Sequence, residues 1–286
     1  MNVYLKSKIS EKKVLLKYIL LLIPFLIYGF YKNGILLYKG NYINFFGMLK
    51  PILLVIISIL ISYLFTKYKK EEFVSYRLYL NILSSLIALP NTNIFIYLII
   101  LFLVNILYTF KKVNISLITI LLLIIFSFIF HNYSFLNVYE ESVNHSYSIT
   151  NYLFGSGAGG ISNTLFIYSI LALIYLICDF SYKKHIVLTS LTMYYILLSL
   201  SFVILKKFDY SLALNNNLIF AFIFLNTISI FTPYTKGGCY LYGFILGFFS
   251  FILSFIDINL GVYLVSSILS FVFPYFDKFI LKISSK

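Results

Sequence analysis

Apolar runs separated by short polar breaks dominate this chain, at 14–31, 45–66, 78–89, 94–110, 113–130, 161–180, 185–205, 212–231, 239–256 and 260–276. A segment that crosses a bilayer needs about 20 mainly apolar residues, because each backbone N–H and C=O must be satisfied within the segment. Nine of the ten runs approach that length. The exception, 78–89, contains Asn81, Ser84 and Ser85 and is expected to pack inside the bundle or re-enter rather than face lipid. The fold class that follows is all-α. We expect a polytopic membrane helical bundle of about ten transmembrane helices, forming a single integral membrane domain over 1–286 with a long outer loop at 131–160.

Composition points to the same solvent. Of the 286 residues, 61% are hydrophobic and 11% charged, a balance that would leave a water-soluble domain with a large exposed apolar surface. The formal net charge of +13 comes from lysines clustered between the apolar runs, where they act as topology signals. No basic face on a soluble module accompanies them, so nucleic acid is not expected as a partner. Cys178 and Cys239 stand far apart without a CxxC or a histidine-rich neighbourhood, which argues against a disulfide framework or a zinc site. Lys6, Lys8, Lys12 and Lys13 precede the first run as in a signal peptide. No small-residue cleavage site follows, and the run reads as a retained helix.

Positive residues stay on the cytoplasmic side, so alternate breaks report orientation. With the N-terminus inside, 17 Lys and Arg fall in inside segments and 4 in outside ones, namely Lys32, Lys39, Lys206 and Lys207. Both termini are therefore expected in the cytoplasm, with the protein a multi-pass component of the cell membrane. Lys50 lies inside the second run, near its outer end, and is expected to snorkel to the interface.

Ionisable residues at mid-membrane mark function because they are costly to bury. Here Asp179, Asp209, Asp257 and Asp277 all sit at run ends, which gives no support to a carboxylate proton relay. His131, His145 and His185 lie at boundaries and are not paired for haem. Glu140, Glu141, His145, Ser146 and Ser148 share the long loop, but without a nucleophile elbow they do not define a hydrolase. No catalytic residue and no metal ligand set is assigned.

Two segments depart from the apolar background. Leu153 to Thr164 contains Gly155, Gly157, Gly159 and Gly160 just ahead of the sixth run. Glycines allow close backbone approach, and a helix start presents free N–H groups suited to a phosphate. A flexible linker would look the same. Thr227 to Gly238, with Thr232, Pro233 and Thr235, joins one run to the next and is followed by Gly243 and Gly247. A plain turn is the alternative there.

Together these segments resemble the RnfD/NqrB family, the membrane subunit shared by the Rnf and sodium-translocating NADH:quinone oxidoreductase complexes. A family loop of the form G-N-I-P-G-S-I-G-E-T-S is met at Gly155, Gly159, Ile161 and Thr164, with Ser162 in place of Gly and Asn163 in place of Glu. A second stretch, A-T-D-P-V-T-S-P-x-T-x-x-G, is met at Thr227, Pro233, Thr235 and Gly238, with Ile228 for Asp and Ser229 for Pro. Gly261 matches a Y-P-E-G turn, and Pro274 and Asp277 match a terminal P-L-I-D. The likeness covers about residues 150–280. Upstream, Ser85 to Pro90 follows the family loosely, and a family G-G-x-G-x-N-x-F-N-P-A stretch is missing at Val113 to Ser116.

The resemblance implies a divergent subunit of a flavin-dependent electron-transport complex, with possible coupling to ion translocation and other subunits as partners alongside membrane lipid. It also implies FMN, attached in the family through a Thr of a D-G-x-S-G-A-T motif. Thr150 is the comparable residue here, but Asn144 replaces the Asp, Tyr147 the Ser and Ile149 the Ala. Noncovalent FMN, or riboflavin, is the other form this implication takes. Gly155, Gly159 and Thr164 would then lie near one ring, and Thr227, Thr232 and Thr235 near another. A small-molecule or ion transporter, built on helices broken at the same two segments, remains open beside it. So does a lipid-linked polysaccharide polymerase or flippase.

Overall fold

The structure, a computed structural model, describes residues 11–137, 149–155, 157–206 and 210–284. These residues form helices, and no strand occurs among them. Helix α1 runs Glu11–Phe30 and continues through a π-helical stretch, Tyr31–Leu36, to a last turn at Leu37–Lys39. It is followed by α2 (Phe45–Lys69), α3 (Tyr76–Ile87), α4 (Ile94–Phe110) and α5 (Ile115–Ile129). After a long connection come the short α6 (Ile149–Leu153), then α7 (Phe166–Ile177) and α8 (Lys184–Leu205). The chain ends with α9 (Tyr210–Ala213), α10 (Asn216–Phe220, extended by a π-helical stretch Ala221–Leu225), α11 (Lys236–Ser254) and α12 (Leu260–Ser284).

Polar residues at the breaks set where the helices start. Asn93, Asn114, Asn215 and Thr235 each accept a backbone N–H from the first turn of α4, α5, α10 and α11, at 2.8, 3.4, 3.1 and 3.0 Å. Five stretches are long and apolar enough to cross a membrane: Glu11–Lys39, Phe45–Lys69, Lys184–Ile204, Lys236–Ser254 and Leu260–Ile283. Four shorter apolar helical stretches, Ile94–Phe110, Ile115–Ile129, Phe166–Ile177 and Ser211–Leu225, pack among them. The outer faces of these helices carry exposed Phe95, Phe110, Ile204 and Phe249, a surface that water would not tolerate. Inside, buried hydroxyls such as Ser58, Ser190 and Ser267 return to carbonyls one turn back on their own helices, so their burial leaves nothing unsatisfied.

Hydrogen bonds sort the connections to two ends of the bundle. At one end Ile161 meets Ala88, Asn215 meets Ile258, and Tyr133 meets Asp257. At the other, Lys17 meets Asp179, Tyr76 meets Ser229, and Lys183 meets Pro233. We call these the glycine-loop end and the lysine-rich end.

Two short helices lie wholly inside. From Arg77 to Ile87 every residue of α3 is buried, as is every residue from Asn216 to Leu225. Asn81 and Asn105 exchange amide hydrogen bonds at 3.2 and 2.9 Å, while Ser84 and Ser58 both bond Tyr97 Oη. The polar groups that shorten the 78–89 run thus face protein, as expected for a helix packed inside the bundle. Tyr79 donates to Phe224 O across the pair. Helix α3 ends at the glycine-loop end and α10 starts there, so the two run antiparallel. Each is third among the five main helices of its half of the chain.

Three boundaries depart from the sequence expectation. Residues 161–165 are not helical, because the Ile161 and Ser162 N–H groups bond the carbonyls of Ala88 and Leu86 instead of a preceding turn. The 212–231 run breaks at 214–215 and its continuous helix ends at Leu225, where the Asn226 amide turns onto Ala221 O and Ser266 Oγ, with only a 3-10 turn at Ser229–Phe231 beyond. The last helix passes Pro274 and continues to Ser284. A proline inside a helix removes one hydrogen bond, and the long apolar flanks tolerate that loss here.

Candidate functional site at the glycine loop

Residues 154–155 and 157–165 cross the glycine-loop end and are strapped to α1 by three side chains. Tyr28 Oη donates to Phe154 O at 2.6 Å, Lys32 Nζ to Gly157 O at 2.7 Å, and Asn33 Nδ2 to Ile161 O at 2.7 Å. The π-helical widening of α1 begins at Tyr31 and includes Lys32 and Asn33, which helps to bring both onto the loop beside Tyr28. Gly155 has φ +87°, which only glycine adopts at low cost, and Gly160 lies so close to α3 that a Cβ there would sit 2.7 Å from Ile87 O. Leu86 O and Ala88 O, left open where α3 ends, accept from the loop at 2.9 and 2.8 Å.

Beneath the loop lies an uncharged amide network. Asn163 Nδ2 donates to Asn217 Oδ1 at 2.6 Å and to Tyr263 Oη at 2.8 Å, and Asn217 Nδ2 donates to Asn259 Oδ1 at 2.7 Å. Not every atom is served. Asn163 Oδ1, Thr164 Oγ1 and both polar atoms of the Asn216 amide are buried without a partner among the described residues. An unmet buried polar group costs about 1–3 kcal/mol, so four together mark a place where the fold retains polarity it does not itself use.

The structure brings together the first group of sequence-derived candidates. Gly155, Gly159 and Thr164 share the loop, and a Cβ on Gly159 would lie 2.4 Å from Thr164 Cγ2 and 3.3 Å from Asn163 Oδ1. Thr150 is exposed on α6 at the same end of the bundle. Two residues on, the Tyr152 ring packs on Gly157, whose Cβ position is 3.7 Å from Asn216 Nδ2. Asn144, Tyr147, Glu140, Glu141, His145, Ser146 and Ser148 lie outside the described residues.

The second group sits at the lysine-rich end, and its hydroxyls serve the fold. Thr227 Oγ1 donates to Ile223 O at 2.7 Å and Thr232 Oγ1 to Ile228 O at 2.9 Å. Thr235 Oγ1 donates to Asp277 Oδ1 at 2.7 Å while capping α11. Lys183 holds the same turn from α8, donating to the Thr232 and Pro233 carbonyls at 3.0 and 2.7 Å beneath the Tyr234 ring. Burial pushes its pKa down to about 8, against the upward pull of Cys239 and Asp277.

Lys32 corrects the sequence expectation. It counted there as an outer-loop lysine, yet it lies within the helical continuation of α1 and is 6% exposed. Asn216 and Asn217 carried a legible signal, since Asn215-Asn216-Asn217 interrupts apolar text, but a run of asparagines also reads as a break between helices.

Fold and site together define an all-helical bundle with helices able to span a membrane and a polar, uncharged centre under a strapped loop. No family model matches the chain, and no curated protein matches it.

Proposed function

We propose that this chain is a divergent RnfD/NqrB-like membrane subunit of a flavin-dependent electron-transport complex in the cell membrane. In this reading ten helical segments cross the bilayer, both termini and the lysine-rich end face the cytoplasm, and the glycine loop faces outside. One observation carries it. The loop that shares family motif positions Gly155, Gly159, Ile161 and Thr164 overlies buried donors and acceptors with no partner among the described residues. Such groups fit the mixed donor and acceptor edge of a flavin ring, and the exposed Thr150 is accessible for a phosphoester. Thr227, Thr232 and Thr235 offer no such unmet hydroxyl, so the proposal confines the flavin to the glycine-loop end.

Asn163, Thr164 and Asn216 would hold the FMN or riboflavin, which when bound supplies the redox chemistry. The chain's own residues do the remaining work. Lys32 fixes the Gly157 carbonyl and places a positive charge by the loop, suited to a phosphate. Tyr263, which accepts from Asn163 Nδ2, stacks with Phe135 at 6.1 Å, and this apolar pair would keep water from the amide network. Electrons would come from partner subunits, since the sequence holds neither a nicotinamide fingerprint nor an iron–sulfur cysteine set.

A transporter is the second reading. It is favoured by the antiparallel buried pair α3 and α10, because short helices in corresponding places of two halves often frame a substrate site. Flavin content separates the two: protein purified with its partner subunits carries flavin in the first reading and none in the second.

A further inference from the structure

The second polar segment of the sequence, around Thr232 to Thr235, has no part in the flavin reading, and a cation sits against it. Three carbonyls of the turn that leads from α10 into α11 converge on the ammonium of Lys183, which comes from the residue before α8. Pro233 O lies at 2.7 Å, Thr232 O at 3.0 Å and Ser229 O at a longer 3.5 Å. The Tyr234 ring adds its face, with its centroid 4.9 Å from Nζ. Asp277 of α12 holds the same turn through its backbone, accepting the Tyr234 and Thr235 N–H groups at 2.8 and 2.9 Å.

Carbonyls and an aromatic face are the surroundings of a coordinated ion, not of a salt-bridge partner. Among the described residues Lys183 is in no ion pair, and its three N–H donors meet three neutral carbonyls. Thr232 and Pro233 are buried, so water is a poor substitute for the ammonium at their carbonyls. Cys239 is buried as well and its Sγ shares Pro233 O at 3.2 Å, which makes this thiol a native reporter of the turn. Carbonyls spaced for an ammonium also suit potassium, whose radius is nearly the same. Sodium is smaller, and the backbone would have to close in around it.

We propose that the turn at 229–233 is a seat for a monovalent cation of ammonium or potassium size, filled in this chain by the tethered ammonium of Lys183, whose charge orders the passage from α10 into α11. Lys183 is thus a positioning residue that stands in for a free ion. Its neighbour Lys184 makes none of these contacts, so the two lysines of the pair have different roles. The inference rests on neither the flavin nor the transporter reading.

The test uses the full chain in detergent at neutral pH, as parent, Lys183→Ala and Lys184→Ala, in potassium, ammonium, sodium or choline chloride at equal ionic strength. The rate at which a neutral maleimide modifies Cys239, read by peptide mass spectrometry apart from exposed Cys178, reports the turn. The parent and Lys184→Ala should protect Cys239 equally in all four salts. Lys183→Ala should lose that protection several-fold in choline chloride and regain it, saturably, in potassium or ammonium chloride, with sodium weaker. A merely structural lysine would show no such selectivity among cations. If Lys183→Ala does not fold in choline chloride, folding recovered in potassium or ammonium chloride is the same expected result. Equal Cys239 rates for Lys183→Ala in all four salts, or failure to fold in every one of them, would overturn the inference.

Discussion

Lys32 donates its ammonium to the carbonyl of Gly157 at 2.7 Å, joining the π-helical part of α1 to a loop 125 residues later. This bond and its neighbours from Tyr28 and Asn33 hold the glycine loop against the bundle. Lys32→Met keeps the aliphatic stem but leaves the Gly157 carbonyl without this donor. A loss of about 1–3 kcal/mol is expected, read as a lower midpoint of thermal unfolding in detergent and faster proteolysis within 154–160. Unchanged values for both would show that the strap does not hold the loop.

Gly29 is a point of close approach between α1 and the loop. An Ala Cβ there would meet Ser162 Oγ at 1.9 Å and the Ile161 carbonyl at 2.7 Å. Backbone cannot give way cheaply, so Gly29→Ala should destabilise by about 1–3 kcal/mol. Gly237→Ala is the control, because its Cβ would meet only the Ile280 side chain at 3.1 Å. Thermal midpoints of the two variants should separate clearly.

Asp179 ties the connection before α8 to Lys17 at 2.6 Å. Burial works to raise its pKa, but the Lys17 ammonium and the Ser181 N–H and hydroxyl outweigh that effect and hold the carboxyl below its ordinary value. A carboxyl whose folded pKa lies below its unfolded value contributes stability above the unfolded pKa, and that contribution disappears as pH falls through the folded one. The acid side of the stability profile, below about pH 4, should therefore be shallower in Asp179→Asn than in the parent. Parallel profiles would contradict the coupling.

Much of the fold was legible because apolar run length alone places most helices, and polar residues inside 78–89 marked the buried α3. The boundary at 161–165 was hidden. Ile161 continues the apolar text, and what keeps this stretch from being helical is pairing with Leu86 and Ala88, a contact no local pattern records. Lys32 was hidden for a related reason: Lys-Asn-Gly resembles a turn, whereas here it lies on a π-helical extension whose polar groups are taken by a distant loop. Of the candidate residues, Thr164 and the loop glycines stood out by composition. The orphaned amide of Asn216 needed the packed structure to be seen.

The proposed orientation, with the lysine-rich end in the cytoplasm, can be tested by labelling. A single cysteine at exposed Asn132 should react with a membrane-impermeant maleimide in intact cells, and one at exposed Lys112 should react only after the membrane is opened. The reverse pattern would invert the topology proposed above.

The central claim is that the unmet polar groups under the glycine loop serve a flavin. Thr164→Val removes a buried, unpartnered hydroxyl at nearly constant volume, so the flavin-free protein should be as stable as the parent or slightly more so. The decisive measurement is flavin fluorescence per mole of protein, taken after denaturing full-length chain purified with its partner subunits and supplied with FMN and riboflavin. Near-stoichiometric flavin in the parent and a several-fold loss in Thr164→Val are expected, with Thr150→Val removing any gel-resistant fluorescent band. Parent protein that carries no flavin under these conditions would contradict the electron-transport account and leave the transporter in its place.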